Sequence, residues 1–249
     1  MLPVASIFTD IPEAIVTFFY DVFGNWGIAI ILLTFTIRIA ILPLSLKQIR
    51  SMRTMQALQP QLKALQEKHK DDKQRQQQEM MKFYQENGVN PLASCFPLLL
   101  QLPFFFAVYA MLRSDSFQND VTDSGNTGFL FIDNITEKPE TTAIAIVLCI
   151  LFVGTQLLAG LAMSIRGQLE GPQRFIVFGL PFAFAPFVFS FPTGLAIYWI
   201  TTNVWTFGQQ QVVQHFIPPP EKPTPEEIEA AKPPPPPPRK KKKRSGKRK

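Results

Sequence analysis

Long uncharged stretches constrain this chain more than any other feature. A helix needs about 20 mostly apolar residues to cross the hydrocarbon core of a bilayer. Five segments approach that requirement: 25–46, 92–112, 141–165, 174–190 and 192–213. So much unbroken apolar sequence cannot be hidden inside one soluble domain of 249 residues, of which 46% are hydrophobic and 18% charged. The fourth segment is short and interrupted by Pro181 and Pro186, which predicts a bend. It meets the fifth at Phe191-Pro192, where only a tight turn fits, so the two form an antiparallel hairpin. The expected fold class is an all-α polytopic membrane protein with five spans.

Lys and Arg counts set the orientation. Residues 1–24 hold none, while 47–91 hold nine; 113–140 hold two against six acids, and the tail beyond 214 holds eleven. The connection 166–173 lies on the same side as 47–91. The amino terminus is therefore expected outside and the carboxyl terminus in the cytoplasm. Residues 1–24 lack a positive start and a clear cleavage site, so no signal peptide is expected there. Ile11, Ile15, Phe18, Phe19 and Val22 recur at helical spacing, which predicts a short amphipathic helix lying in the outer interface.

The polar segments divide by pattern. Residues 47–91 read as a cytoplasmic helical hairpin. One helix carries Leu46, Ile49, Met52, Met55, Leu58, Leu62 and Leu65, with Pro60 kinking it or resetting its start. His69 to Asp72 make the turn, and Lys73–Glu86 the second helix. The Met side chains are either packed between the two helices or left partly open to apolar segments. Residues 113–140 are polar and acidic around an apolar island, 129–132, and read as an external loop. The tail 214–249 is a Pro-rich spacer ending in a disordered basic block: Arg239, Lys240, Lys241, Lys242, Lys243, Arg244, Lys247, Arg248 and Lys249. Such a block binds polyanions, either anionic lipid or ribosomal RNA.

Inside the five segments, end residues apart, the one charge is Arg38. Burying it near mid-bilayer costs about 2.5–3.5 kcal/mol on insertion scales. Thr34, Arg38 and Ser45 share a helix face; Ser94, Gln101 and Tyr109 recur at seven and eight; Gln156 stands in the third segment. In the fifth, Tyr198, Thr202 and Gln209 lie on one line, with Asn203, Thr206 and Gln210 beside it. Each stripe alone is ordinary interhelical hydrogen bonding. Four of them facing one unpaired cation point to a water-filled cavity. No acid or His stands in a segment interior, which argues against intramembrane hydrolysis and proton-coupled transport. The two cysteines, Cys95 and Cys149, sit in apolar runs, so neither disulfide nor metal cluster is expected. No enzyme activity, metal or cofactor is expected.

The residues also resemble the YidC/Oxa family of membrane protein insertases over about residues 10–215. The resemblance rests on Asn90-Pro-Leu-Ala-Ser-Cys-Phe-Pro97 continuing to Gln101-Leu-Pro103, and on Phe191-Pro-Thr-Gly-Leu-Ala-Ile-Tyr-Trp199 continuing to Asn203. Thr36-Ile-Arg38 with Pro43-Leu44, Met55-Gln-Ala-Leu-Gln-Pro60 and 129–136 add to it. The short form is similar to Gram-positive members and the tail to actinobacterial ones. The resemblance implies five helices around a hydrophilic groove, open to cytoplasm and lipid, in a bacterial plasma membrane. Arg38 matches the groove arginine that draws in acidic or polar tails of nascent membrane proteins. Thr34, Ser94, Gln101, Gln156, Thr202 and Asn203 are then expected to hydrate the groove. Tyr198 and Trp199 would flank a sliding path along the first and fifth segments. The hairpin would receive substrate, the basic tail would contact the ribosome, and the Sec translocon is a further partner of some members. The rival reading of the same cavity is an anion-selective channel or carrier, although no internal repeat is evident. A third reading, a membrane anchor recruiting ribosomes, leaves Arg38 without a role.

Overall fold

A computed structural model describes residues 3–87, 96–165 and 172–216. Ser94, the connection 166–171 and the basic tail lie outside the described residues. In chain order the helices are α1 (Pro3–Phe23), α2 (Trp26–Ala40), α3 (Leu42–Ala57), α4 (Gln59–Lys68), α5 (Lys73–Glu86), α6 (Phe96–Leu112), α7 (Asp115–Asp123), α8 (Thr142–Ile165), α9 (Pro172–Phe184) and α10 (Thr193–Phe216), with a 3-10 stretch, Ala185–Phe189, after α9. Among the described residues there is no strand, only an isolated pair of bridging residues, Phe129 and Ile132. The chain forms two compact units: Ala57–Gly88 belongs to one, and Met1–Gln56 with Val89–Pro220 to the other.

In the larger unit α10 packs against α2, α6 and α8, while α1 covers α2 and α6, and α8 touches α9 and the 3-10 stretch. The interior is dry and aromatic at the end where α10 begins. Trp26 stacks on Tyr20 at 3.8 Å between ring centres and meets the edge of Phe117 at 5.2 Å. Outside, α8 leaves Ile146, Ile150, Leu158 and Leu161 exposed, and α9 leaves Phe175, Ile176 and Phe182. A soluble protein rarely carries so broad an apolar exterior. The surface suits lipid.

Among the described residues one helix, Thr142–Ser164, is long and apolar enough by itself to cross a membrane. The segment read as one span, 25–46, is broken: Trp26–Ala40 and Leu42–Ile49 meet at 57°. Pro43 explains the break, because it cannot donate to the Ile39 carbonyl and its ring crowds that group. Leu99–Leu112 and Arg174–Phe189 are shorter apolar helices. Although α10 has 24 residues, its Thr, Asn and Gln content lowers its apolar character.

α1 is longer than expected, and its stripe divides. Val16 is buried, Ile15 and Phe19 pack on the core, and Ile11, Phe18 and Val22 stay exposed. The 113–140 segment is more ordered than a polar loop. Ser114 caps α7 by accepting from the Phe117 N–H, and α7 buries Phe117 and Val121, four residues apart on one face.

That segment is then stitched to the helices. The Trp26 indole donates to Ser124 Oγ at 3.0 Å, and Asn126 Nδ2 donates to the Gly24 carbonyl at 2.8 Å. At the start of α10 the Thr193 N–H donates to Glu137 O and the Gly194 N–H to Ile135 O, each at 2.8 Å. The Thr193 hydroxyl donates to Asn134 O at 2.6 Å. Helix N-termini leave orphan donors, and here loop carbonyls accept from two of them. A Cβ at Gly194 would stand 2.9 Å from Ile135 O, so the glycine permits this approach.

In the smaller unit, α4 and α5 form the expected hairpin. Pro60 sits in the first turn of α4, resetting the helix after a break at Leu58. Asp72 caps α5 by accepting from the Arg75 N–H. Gln76 Nε2 donates to the Gln66 carbonyl at 2.7 Å, but neither helix holds a buried residue, and Met81 is exposed.

Gly27 packs closely on Phe129, where an added Cβ would lie 2.1 Å from the ring. Gly27→Ala should therefore lower stability by about 1–3 kcal/mol through overpacking. Thermal unfolding in detergent reads the loss, and Phe129→Ala in the same chain should recover part of it.

Candidate functional site

α2 starts at Asn25, whose side chain accepts from the Ile28 N–H, and stops where Pro43 interrupts the ladder. Arg38 lies in its last turn. A cation there is favoured by the helix dipole, by about 0.3–1 kcal/mol at exposed sites. Arg38 as a whole is half-buried rather than free in solvent. Arg38 Nη2 donates to Gln101 Oε1 on α6 at 2.9 Å. Gln101 Nε2 in turn donates to the Tyr198 hydroxyl on α10 at 2.5 Å. One hydrogen-bonded chain thus links three helices. Arginine has no acceptor, so the amide oxygen must be the atom facing it.

Among the described residues Arg38 makes no ion pair. Among the described residues its charge is met by one neutral amide oxygen, and most of its five donors have no acceptor there. Close by in the sequence of α10, Thr202 is buried with its hydroxyl lacking any partner among the described residues. The same holds for Gln210 Oε1 on α10 and Gln48 Nε2 on α3. Buried polar atoms are nearly always paired, so such orphans mark positions for water.

The other expected groove residues fall in different settings. Thr34 is fully buried and its hydroxyl donates to the Ile30 carbonyl at 2.7 Å, so it has no exposed polar atom to offer a groove. Asn203 is buried and donates to Thr155 Oγ1 at 3.1 Å, a polar link between α8 and α10. Gln156 is half-buried beside Thr155 in the sequence of α8. Ser94 and the basic residues 239–249 lie outside the described residues.

Tyr198 and Trp199 are drawn inward. Tyr198 is only 2% exposed. Trp199 is half-buried in an aromatic cluster, with ring centres 4.9 Å from Phe152, 5.2 Å from Phe105 and 5.8 Å from Phe184. Apolar residues that α2 and α10 turn outward include Phe35, Ile39, Val204 and Phe207. Phe35 meets Trp205 across the two helices at 5.4 Å. Spacing alone could not single out this pair, because hydrophobic residues recur all round both helices. Among the described residues no group of three or more His, Cys, Asp or Glu stands where it could hold a metal ion.

Residues 18–221 match the protein family described as 60Kd inner membrane protein. The chain belongs to that family, the YidC/Oxa insertase family its motifs resemble. It is 36% identical over 251 residues to the membrane protein insertase YidC of Streptomyces avermitilis, an alignment covering 84% of this chain and 59% of that one. It is 35% identical over 207 residues to the YidC of Pseudoalteromonas atlantica, covering 80% of this chain and 35% of that one. A crystal structure of an active YidC insertase with its first transmembrane domain resolved shares the fold. Its TM-score is 0.66 at 24% identity, over 86% of this chain and 47% of that one. The chain thus spans about a third to three fifths of the length of these sequence relatives. The strings on which the resemblance rests, 90–97 continuing to 101–103 and 191–199 continuing to 203, contain Gln101 and Tyr198, the two residues hydrogen-bonded in line with Arg38.

Tyr198→Phe should strand the Gln101 amide in a buried setting. The expected loss is about 1–3 kcal/mol, the penalty of a buried unsatisfied group. A lowered unfolding midpoint in detergent, with the helical circular dichroism unchanged at low temperature, is the measurement that checks it.

Proposed function

We propose that this chain is a membrane protein insertase and chaperone of the bacterial plasma membrane, working without nucleotide hydrolysis. Arg38 recruits the acidic or polar tail of a nascent membrane protein into a hydrophilic groove. The single observation that carries this reading is a guanidinium among apolar helices with no counterion among the described residues, held by one neutral amide. A charge kept there at several kcal/mol of desolvation needs a use. An incoming carboxylate is the missing partner.

In this reading the spans are 25–46, 92–112, 141–165, 174–190 and 192–213, with the amino terminus outside. A polar site partway across shortens the apolar distance that a hydrophilic tail must travel. The low dielectric around Arg38 strengthens its attraction for that tail. Thr202, Asn203, Gln156, Ser94 and Gln101 belong to the wet lining, and the orphan atoms of Thr202, Gln210 and Gln48 support water there. Release is driven when about 20 apolar residues of the substrate reach lipid, at about 25 cal/mol per Å2 transferred. The exposed Phe35, Ile39 and Val204 supply an apolar exit face along α2 and α10, with Trp205 packed on Phe35 and Tyr198 and Trp199 behind it.

The 57° break before α3 places Arg38 at a helix end, where unpaired carbonyls also welcome water. The α4/α5 hairpin, with no dry core of its own, is suited to receive apolar segments first. The partners are nascent membrane proteins, the ribosome through Arg239 to Lys249, the bilayer and, for some substrates, the Sec translocon. The names of the relatives, membrane protein insertase YidC, support the activity.

Purified protein in liposomes should insert a small single-span substrate with an acidic outer tail in the absence of nucleotide. Arg38→Ala should cut that insertion by about tenfold, the factor that 1.4 kcal/mol sets, and a substrate with a short neutral tail should lose less. Arg38→Lys should keep much of the activity, since charge rather than forked geometry is used. Protease protection of the translocated tail is the readout; equal loss for both tails would defeat the reading.

A further inference from the structure

The chain Arg38–Gln101–Tyr198 has a feature that recruitment alone does not use. The group at the guanidinium is not water or backbone but a side-chain carboxamide, the neutral isostere of a carboxylate. Its oxygen stands 2.9 Å from Arg38 Nη2, as an acid's oxygen would. Its nitrogen is fixed by the 2.5 Å bond to Tyr198. Because the guanidinium has no acceptor, the amide is held with its oxygen on the cation, and the buried Tyr198 hydroxyl accepts from its nitrogen.

We propose that Gln101 is a specificity-determining stand-in for the substrate carboxylate, occupying Arg38 at rest and yielding only to a charged tail. The proposal rests on Arg38 as the recruiting group. Hydrogen bonds between two ionised partners are roughly twice as strong as those with one neutral member, and a carboxylate can engage a guanidinium with both oxygens. An acidic tail therefore displaces the amide, whereas Ser, Asn or backbone groups of a neutral tail offer no more than Gln101 already gives. The same competition works in reverse. Once the tail has crossed, the amide returns to Nη2 and competes with the departing carboxylate there, so the cation does not hold its cargo. A glutamate at 101 would have the same shape but never let go. An apolar side chain would leave Arg38 without a competitor.

The test measures insertion into phosphatidylethanolamine and phosphatidylglycerol vesicles of two substrates that differ only in an acidic or a neutral tail. The ratio of their rates is the readout, because a merely structural defect lowers both rates together. Gln101→Glu should lower the acidic-to-neutral ratio by about tenfold, to the value of Arg38→Ala, by giving Arg38 a permanent internal counterion. Gln101→Met should lower the ratio by raising the neutral-tail rate, since neutral groups then meet an unoccupied cation. A wild-type ratio in Gln101→Glu, or a neutral-tail rate at or below wild type in Gln101→Met, overturns the stand-in. Should Gln101→Glu not fold into vesicles, the Gln101→Met arm decides alone. The Arg38→Ala arm separates the two claims. If it lowers the ratio while the Gln101 variants do not shift it as stated, recruitment stands and the stand-in falls; if Arg38→Ala leaves the ratio unchanged, recruitment itself falls.

Discussion

A guanidinium withdrawn from water loses hydration worth several kcal/mol, and the usual remedy is a carboxylate at hydrogen-bond distance. At Arg38 the remedy is a neutral amide, itself anchored by a phenol. This choice shapes the rest of the larger unit. It requires three helices to bring one polar side chain each to a common point, and it requires those helices to be held in register by contacts elsewhere. The cation's remaining donors, together with the unpartnered atoms of Thr202, Gln210 and Gln48, then call for solvent in a region whose exterior is apolar.

The register is supplied from the end where α10 begins. There the donors of Thr193 and Gly194 are taken up by carbonyls of Asn134, Ile135 and Glu137, and Phe129 is pressed onto Gly27 at the start of α2. Below this seam lie Trp26, Phe117, Leu195 and Met111, all almost fully buried. The unit is therefore dry and rigid at one end and polar further along, a gradient set by composition. Aromatic and aliphatic residues fill the first turns of α2 and α10, and Thr, Asn and Gln populate the later turns of α10.

Much of this was legible in the residues, for identifiable reasons. Lys73–Glu86 emerged with the observed bounds because Asp72 is a strong cap and the next stop comes at Asn87. Arg38 stood out because a lone charge in apolar sequence has no structural excuse. The link from Gln101 to Tyr198 was not legible: the residues are 97 apart, and helical spacing gives a face but not the neighbour opposite. The break at Ile41 was missed because Pro43 sits in an apolar run, where hydropathy averages over the missing hydrogen bond. α7 was hidden by its acids, which outnumber the two side chains, Phe117 and Val121, that fix it. Tyr198 and Trp199 were expected beside a lipid-facing path, yet an aromatic ring is equally at home in a packed interior, and only the neighbouring Phe105, Phe152 and Phe184 decide.

The polar make-up of α10 bears on how the protein itself is made. Partitioning into lipid one helix at a time favours segments such as Thr142–Ser164, whereas α10 carries Asn203 and three consecutive glutamines that hydrocarbon would reject. Its Asn203 finds a partner in Thr155, and its Tyr198 one in Gln101, both on helices synthesised earlier. α10 thus finds partners for these polar groups on helices made before it, so its side chains depend on the folded bundle rather than on their own hydrophobicity.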